Sequence, residues 1–248
     1  MLPKRYSCLF QYQCIARGIE YATSTKKINL KKASSRQWLL RQINDKYVKE
    51  ARLKQYRCRS AFKLLEINEK HNILKPGMKV LDCGAAPGSW SQVAAELTNA
   101  NGKNVQESTG SVLSIDRDFF YPIEACFCIR NADFSQKTTR NKILDILGDR
   151  KVEVMLSDMA PNATGHSEMD HEQIVDLVTH FVEFASDILV EQGTLLCKLW
   201  EGGRKRHFQS FLQTLFSDVK TIKPDSSRSN SAEIFMLARG YKNPRDQT

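Results

Sequence analysis

The chain has 248 residues, of which 41% are hydrophobic and 26% are charged, and its formal net charge is +9. This length suits one α/β domain with some extension, and no apolar run approaches the roughly 18 residues that a membrane span needs, which excludes membrane insertion. The basic excess favours a polyanionic partner, nucleic acid first, over a basic protein that binds no anion.

The seven cysteines are scattered along the chain and include no C-x-x-C pair. Several lie in apolar, strand-like runs, where cysteine behaves as a small hydrophobic residue. We therefore predict neither disulfide bonds nor a metal site, as expected in a reducing compartment.

Residues 1–36 differ from the rest of the chain because they carry eight basic residues and a single acid, Glu20. A basic, hydroxyl-rich, acid-poor start is typical of a mitochondrial transit peptide, and no apolar run follows that would make it a secretory signal. We predict a transit peptide over residues 1–35, a folded domain over 36–241 and a tail over 242–248. A disordered RNA-binding leader is the alternative for the first part.

A long basic helix is predicted over residues 38–63, which contain neither Gly nor Pro. Tyr47 and Tyr56 are interleaved with its basic side chains, so an RNA-facing surface and an ordinary solvated face both fit the pattern. The phosphate contacts predicted for bound RNA are Arg41, Lys49, Arg52 and Arg57, with a later cluster at Arg204, Lys205 and Arg206.

Strands and helices alternate through the rest of the chain. Strands are predicted at 80–81, 110–116, 125–133, 152–158, 193–200, 219–224 and 232–240, and helices from 89 onward and at 138–148, 171–190 and 204–216. This alternation predicts parallel strands joined by right-handed crossovers. The last two strands have no helix between them, so they must pair as an antiparallel hairpin. The expected fold is α/β, with a mostly parallel seven-stranded sheet whose last strand is antiparallel.

Acidic residues stand at the ends of four predicted strands. They are Asp82, Asp116, Asp133 and Asp158, and Lys198 lies in the strand that follows them. In open α/β sheets, ligands bind at the carboxyl ends of the strands. One acid there would be an ordinary helix cap, whereas acids from four strands at one edge indicate a bound ligand.

The loop after the first strand, "DCGAAPGSW", contains Gly84 and Gly88 where the backbone is expected to approach a ligand closely. It lacks the terminal Gly-Lys-Ser/Thr of a P-loop. It is also a poor dinucleotide fingerprint, because Pro87 interrupts it and the next acid lies too far along the chain. If Asp116 takes ribose hydroxyls and Asp133 with Phe134 holds an adenine edge, S-adenosylmethionine fits better than a pyrophosphate cofactor.

Four motifs, "RSAFKL", "GAAPGSW", "SDMAPN" and "KPDSSR", resemble those of the FtsJ/RrmJ family of ribosomal RNA 2′-O-methyltransferases, within a match over residues 34–240. The resemblance implies a Rossmann-like methyltransferase fold that uses S-adenosylmethionine. It also implies methylation of a uridine ribose in the A-loop of large-subunit rRNA, as free RNA or in a ribosomal precursor particle. With its basic leader, the chain is most similar to the mitochondrial branch, which implies a matrix location and a part in ribosome assembly.

The resemblance further implies a catalytic set of two lysines and two acids, which fall on Lys63, Asp158, Lys198 and Glu233. The cofactor contacts expected from the loop and the resemblance are Gly84, Ala85, Ala86, Pro87, Gly88, Ser89, Trp90, Asp116, Asp133, Phe134 and Asp158. A ribose hydroxyl is a poor nucleophile, so a group must take its proton or stabilise its developing charge. Lys198 could be a base or a fixed cation, and the sequence leaves both roles open.

Three other functions fit the sequence less well. The same chemistry on tRNA or on an mRNA cap is possible, but the leader and the fit around "SDMAPNATG" favour rRNA. An RNA-binding assembly factor without turnover would not require an intact catalytic set. A NAD-dependent dehydrogenase is disfavoured by the glycine loop.

Overall fold

The computed structural model describes residues 40–161 and 164–243, so the predicted leader and the last residues of the predicted tail lie outside the described part. The strands are β1 (Lys79–Cys83), β2 (Ser111–Ile115), β3 (Cys126–Ile129), β4 (Val152–Ser157), β5 (Leu189–Trp200), β6 (Phe216–Ile222) and β7 (Glu233–Tyr241). The main helices are α1 (Lys46–Leu53), α2 (Ala61–His71), α3 (Ser89–Leu97), α4 (Lys137–Leu147), α5 (Ser167–Glu183), α6 (Ala185–Ile188) and α7 (Lys205–Leu215).

All seven strands belong to one sheet, in the order β3-β2-β1-β4-β5-β7-β6. The first five pair in parallel, and β7 runs antiparallel to both β5 and β6. This confirms the predicted mostly parallel sheet and the closing hairpin. The chain order reverses between β1 and β4, which opens a crevice at the carboxyl ends of these two strands.

Helices cover both faces of the sheet. Because successive residues of a strand point to opposite faces, each strand contributes side chains to a core on either side. On one face, Leu195 and Cys197 of β5 join a core that includes residues of α4, α5, α6 and α7. On the other face, Leu196 joins a core with residues of α2 and α3. Ile174, Val178, Phe181 and Val182 of α5 are buried in the first core. None of the helices in the described residues is both long and apolar enough to cross a membrane.

The predicted continuous helix over residues 38–63 is wrong. Residues 40–44 are helical, α1 follows with Asp45 as its N-cap, and the helix ends before Gln55, whose φ is 60°. The chain then runs without regular structure to residue 60, and α2 begins at Ala61 and extends beyond Lys63. The break arises because residues 55–60 bond to α3 instead of continuing the helix; for example, the Arg57 amide donates to Gln92 Oε1 at 2.9 Å.

The predicted helix over residues 171–190 also differs from the structure at both ends. It begins earlier, with α5 at Ser167, and after the short α6 the chain enters β5 at Leu189. β5 starts here because Leu189 pairs with Val152 at the beginning of β4. The register then shifts between Val152 and Val154, so the sequence "LVEQG" serves as irregular strand instead of helix.

Candidate functional site

The predicted catalytic residues come from three strand ends and one helix. Asp158 follows β4, and its amide donates to the carbonyl of Cys83 at the end of β1 at 3.2 Å. Lys198 lies near the end of β5, and Glu233 is the first residue of β7. Lys198 pairs with Phe235 in the β5–β7 ladder, and Glu233 is two residues before Phe235. The side chains of Lys198 and Glu233 therefore project from the same face of the sheet.

Asp158 and Lys198 form an ion pair that is mostly shielded from water. Lys198 Nζ lies 2.9 Å from Asp158 Oδ1. The side chain of Lys198 is 10% exposed and that of Asp158 is 19% exposed. The ammonium also donates to the carbonyl oxygen of Asp158. Ser60 Oγ donates to the second carboxylate oxygen, Asp158 Oδ2, at 2.7 Å.

Asp158 is ionised in this setting. Burial raises the pKa of Asp158, but the ammonium groups of Lys198 and Lys63 and the hydrogen bond from Ser60 outweigh burial and hold the pKa below its usual value. The site therefore presents a negative charge that is paired directly with Lys198 and lies within the field of Lys63.

Lys63 and Glu233 form a second shielded ion pair. Lys63 Nζ lies 2.7 Å from Glu233 Oε2, and Ser227 Oγ donates to Glu233 Oε1 at 2.8 Å. The Lys63 ammonium also lies over the ring of Phe235, 5.7 Å from its centroid. Lys63 stands in the first turn of α2, not at the end of a long helix as the sequence had indicated. The structure thus brings all four predicted catalytic residues to one edge of the sheet.

The loop that contains Ser227 is fixed to the amino-terminal helices. The amide of Ser226 donates to Glu66 Oε2 at 3.1 Å, and Arg59 donates to the carbonyl of Ser226. Arg59 also pairs with Asp45, the N-cap of α1. These contacts hold the "KPDSSR" loop against α1 and α2, so that Ser227 can orient Glu233.

Gly84 allows the loop after β4 to lie directly on the loop after β1. Its φ is +81°, and a Cβ built on it would lie 2.7 Å from the backbone nitrogen of Met159. The glycine at this position is therefore required by a close approach of protein atoms, whether or not a ligand also approaches it. Gly88 similarly has a φ of +118°, and a Cβ there would lie 2.7 Å from Arg57 Nη1 and from Ile123.

Asp116 connects the loops after β1 and β2. Its Oδ2 accepts from the amide of Ala86 at 2.8 Å, and its Oδ1 accepts from the amide of Asp118 at 2.7 Å. Burial raises the pKa of Asp116, although these two amides oppose the shift. The amide of Ala132 donates to the carbonyl of Asp116 at 2.9 Å, which brings the loop that leads to Asp133 to the same edge.

The other predicted cofactor residues are mostly buried. Ala85, Pro87, Gly88 and Ser89 are buried in the loop and at the start of α3, and Ala86 is partly buried. Asp133 is partly buried, and its Oδ1 accepts from the amide and hydroxyl of Ser135.

Two aromatic side chains of the predicted cofactor set lie in the core. The indole of Trp90 is 2% exposed, donates to the carbonyl of Ser60 at 2.9 Å and packs on Phe235. The ring of Phe134 is 4% exposed and packs on Phe181 and Phe184. At these two positions the backbone, not the ring, is the group that can face a ligand.

The hydrogen-bond partners of the two predicted catalytic carboxylates were not identified from the sequence. Ser60 and Ser227 each donate to one of them, yet the only sequence signal was their presence within the quoted motifs "RSAFKL" and "KPDSSR". Asp82 was expected at the edge with the other acids. It is instead fully buried within β1, where its Oδ2 accepts from Ser91 Oγ at 2.6 Å.

Comparisons with known proteins agree with this geometry. The family model described as "FtsJ-like methyltransferase" matches residues 56–241. The chain is 44% identical to rRNA methyltransferase 2, mitochondrial, of Drosophila melanogaster, over 92% of this chain and 92% of that protein. It is 40% identical to ribosomal RNA large subunit methyltransferase E of Agrobacterium fabrum, over 93% and 90% of the two chains.

A solved structure is similar in fold as well. The crystal structure described as that of a ribosomal RNA methyltransferase from Plasmodium falciparum is 28% identical in sequence and superposes with a TM-score of 0.65. The match covers 75% of this chain and 98% of that one. The architecture described above is thus shared over nearly the whole length of that protein.

Asp82 should make the stability of the protein depend on pH. Burial raises the pKa of Asp82 from 3.8 to about 7, with the carboxylates of Asp158 and Asp116 adding to the shift and Ser91 opposing it. The folded state therefore binds a proton that the unfolded chain has released, so the contribution of Asp82 to the free energy of unfolding falls as pH rises from 3.8 to about 7.

We expect Asp82→Asn, which stays neutral and keeps an oxygen for Ser91, to be more stable than the wild type at pH 8 by roughly 2–4 kcal/mol. This advantage should shrink as the pH is lowered to about 4. Urea unfolding of both proteins across this pH range measures the difference between their free energies of unfolding. The contributions of the other titrating groups are the same in both proteins and cancel in this difference. A difference that is constant with pH would show that Asp82 is ionised in the folded state.

Ser60→Ala should slow the reaction without changing the fold. The variant leaves Asp158 Oδ2 without the Ser60 hydroxyl, and a hydrogen bond to a charged group contributes about 1.5–3 kcal/mol. We expect single-turnover methyl transfer to fall roughly tenfold, and Ser60→Thr, which keeps a hydroxyl, to recover most of the rate. Equal rates for the alanine variant and the wild type would show that Ser60 does not position the carboxylate.

Proposed function

This chain belongs to the FtsJ-like methyltransferase family, and on that premise we propose that it transfers a methyl group from S-adenosylmethionine to the 2′-hydroxyl of a uridine in the A-loop of mitochondrial large-subunit rRNA. The observation that carries the proposal is the meeting of the two ion pairs, Lys198–Asp158 and Lys63–Glu233, at the carboxyl edge of the sheet. They lie beside the loop after β1, where ligands of such sheets bind.

The described residues fit this cofactor. The N-cap of α3 is Gly88, which has no side chain to cap the helix, so the amides of the first turn suit the carboxylate of an amino acid. Asp116 is a partly buried carboxylate beside the same loop and suits the hydroxyls of a ribose. When bound, S-adenosylmethionine supplies an electrophilic methyl group on a positively charged sulfur. We assign the negative charge of Asp158 to the sulfonium side of the site.

Lys198 is proposed to stabilise the oxygen that attacks. The Lys198 ammonium is paired with the carboxylate of Asp158, whose Oδ1 lies 2.9 Å from Nζ. An ammonium held in a shielded site stabilises the negative charge that develops on a ribose oxygen as its proton leaves to solvent. Lys63, held by Glu233, is the second cation of the site and adds to the same positive field.

The rRNA substrate and the location are proposed from the similar proteins and from charge. Two of the relatives are named as ribosomal RNA methyltransferases, one of them of the large subunit and the other mitochondrial. The chain carries a net charge of +9, which favours binding to phosphates. The basic leader supports import into the mitochondrial matrix, and action on a precursor particle would connect the protein with ribosome assembly.

The target is tested by mapping ribose methylation on RNA from cells that lack the protein. We expect the loss of one 2′-O-methyl uridine in the A-loop of mitochondrial large-subunit rRNA and its return when the wild-type gene is restored. The Lys198→Ala gene is the matched control, because it should restore the protein but not the mark. Loss of a mark on tRNA or on an mRNA cap instead would identify a different substrate for the same chemistry.

Lys198→Ala should bind cofactor and RNA nearly normally but transfer methyl groups roughly 10² to 10⁴ times more slowly, because the charge stabiliser is removed. Single-turnover methylation at saturating RNA measures the step directly. Lys198→Arg keeps a cation and should be at least about ten times faster than the alanine variant.

The arginine variant separates the two possible roles of Lys198. If it is as slow as the alanine variant while binding both ligands, Lys198 acts as a base, because arginine cannot accept a proton. If the alanine variant itself stays within a few-fold of the wild type, Lys198 is not catalytic.

A further inference from the structure

The irregular segment between α1 and α2, residues 55–60, lies against the beginning of α3. The amide of Arg57 donates to Gln92 Oε1 at 2.9 Å, and Gln92 Nε2 donates back to the carbonyl of Gln55 at 3.1 Å. Cys58 Sγ lies 3.0 Å from Ser89 Oγ. These contacts fix the backbone of the segment on α3 and determine where the side chain of Arg57 can reach.

The guanidinium of Arg57 joins two separate loops. Nη1 donates to the carbonyl oxygen of Pro87 at 2.8 Å and to that of Tyr121 at 2.7 Å, and Nη2 donates to that of Pro122 at 2.5 Å. Pro87 belongs to the loop after β1, whereas Tyr121 and Pro122 belong to the loop after β2. The side chain of Arg57 thus donates to three carbonyls in two loops, while Gln92 fixes the backbone of Arg57.

These two loops are the ones connected by Asp116. Asp116 begins the loop after β2 and accepts from the amide of Ala86 in the loop after β1. The bond from Asp116 and the bonds from Arg57 therefore join the same two loops at two points. A side chain at position 88 would meet Arg57 Nη1, so the glycine there leaves room for the guanidinium.

We propose that Arg57 is a positioning residue for the cofactor site, which fixes the distance between the loops after β1 and β2, and that it is not one of the phosphate contacts. The proposal rests on the proposed use of S-adenosylmethionine. A guanidinium suits this task because its donors point in fixed directions and can reach several carbonyls at once. A lysine in its place carries the same charge but has one donor nitrogen where the guanidinium uses two, so it cannot make the Nη1 and Nη2 bonds to all three carbonyls together.

The test compares Arg57→Lys with Arg52→Ala, a substitution of an exposed arginine on α1 that was predicted to contact phosphate. Calorimetric titration with S-adenosylhomocysteine measures cofactor affinity, and titration with an A-loop RNA fragment measures RNA affinity. For Arg57→Lys we expect cofactor affinity to fall at least tenfold and RNA affinity to stay within twofold, because the charge is kept. For Arg52→Ala we expect the opposite pattern.

Steady-state kinetics give a second readout. The KM of Arg57→Lys for S-adenosylmethionine should rise with its affinity loss, while kcat at saturating cofactor stays within a few-fold of the wild type. A purely structural role in folding would reduce the active fraction, and so kcat, without this separation. Arg57→Gln, whose amide can still donate to one loop, provides a further variant with the charge removed.

Three outcomes would overturn the proposal. One is unchanged cofactor affinity in folded Arg57→Lys, and another is weaker RNA binding in Arg57→Gln alone, which would make Arg57 a phosphate contact. The third is failure of both variants to fold, which would make it a general structural residue. If the wild type itself does not bind S-adenosylhomocysteine, the proposed function fails first, and this result is distinguishable because it needs no variant.

Discussion

Asp158 and Lys198 place opposite charges side by side where little water reaches them, at the ends of β4 and β5. Removing a charge from water costs several kcal/mol unless the charge is paired and its remaining hydrogen-bonding positions are occupied. Here both carboxylate oxygens are engaged, one by Lys198 and the other by Ser60, and the ammonium also reaches a backbone carbonyl. Since Ser60 immediately precedes α2, this requirement holds α2, β4 and β5 in one relative position.

The pair can form only because the loop after β4 lies against the loop after β1. Gly84 makes this possible, since a side chain there would collide with the backbone of Met159, and the amide of Asp158 donates to the carbonyl of Cys83. The motifs "GAAPGSW" and "SDMAPN" are therefore parts of one packing unit. Gly84, which the sequence predicts to approach a ligand, also makes room for Met159, the residue that follows Asp158.

The sequence predicted the sheet and the meeting of the proposed catalytic residues, because alternating strands and helices place strand ends at one edge. It did not predict the break at residues 55–60, since the bonds that cause it come from Gln92 and from carbonyls after β1 and β2, far along the chain. Local helix propensity is too weak to compete with such contacts. Nor could motif spacing separate backbone from side-chain roles: Trp90 and Phe134 stand in ligand motifs, yet their rings are buried because burying an aromatic surface is favourable.

The direction of β7 decides which loop takes part in the site. Because β7 runs opposite to β5, it begins at the edge where β5 ends, and its first residue, Glu233, pairs with Trp200, two residues after Lys198. A parallel strand in this place would bring the loop that follows it to the edge, whereas the antiparallel strand brings the loop that precedes it. That preceding loop supplies Ser227 to Glu233 and is itself held by Glu66 and Arg59 from the amino-terminal helical region. The single reversed strand is thus the reason that the first and the last elements of the described chain meet at the same edge of the sheet, where the proposed catalytic residues lie.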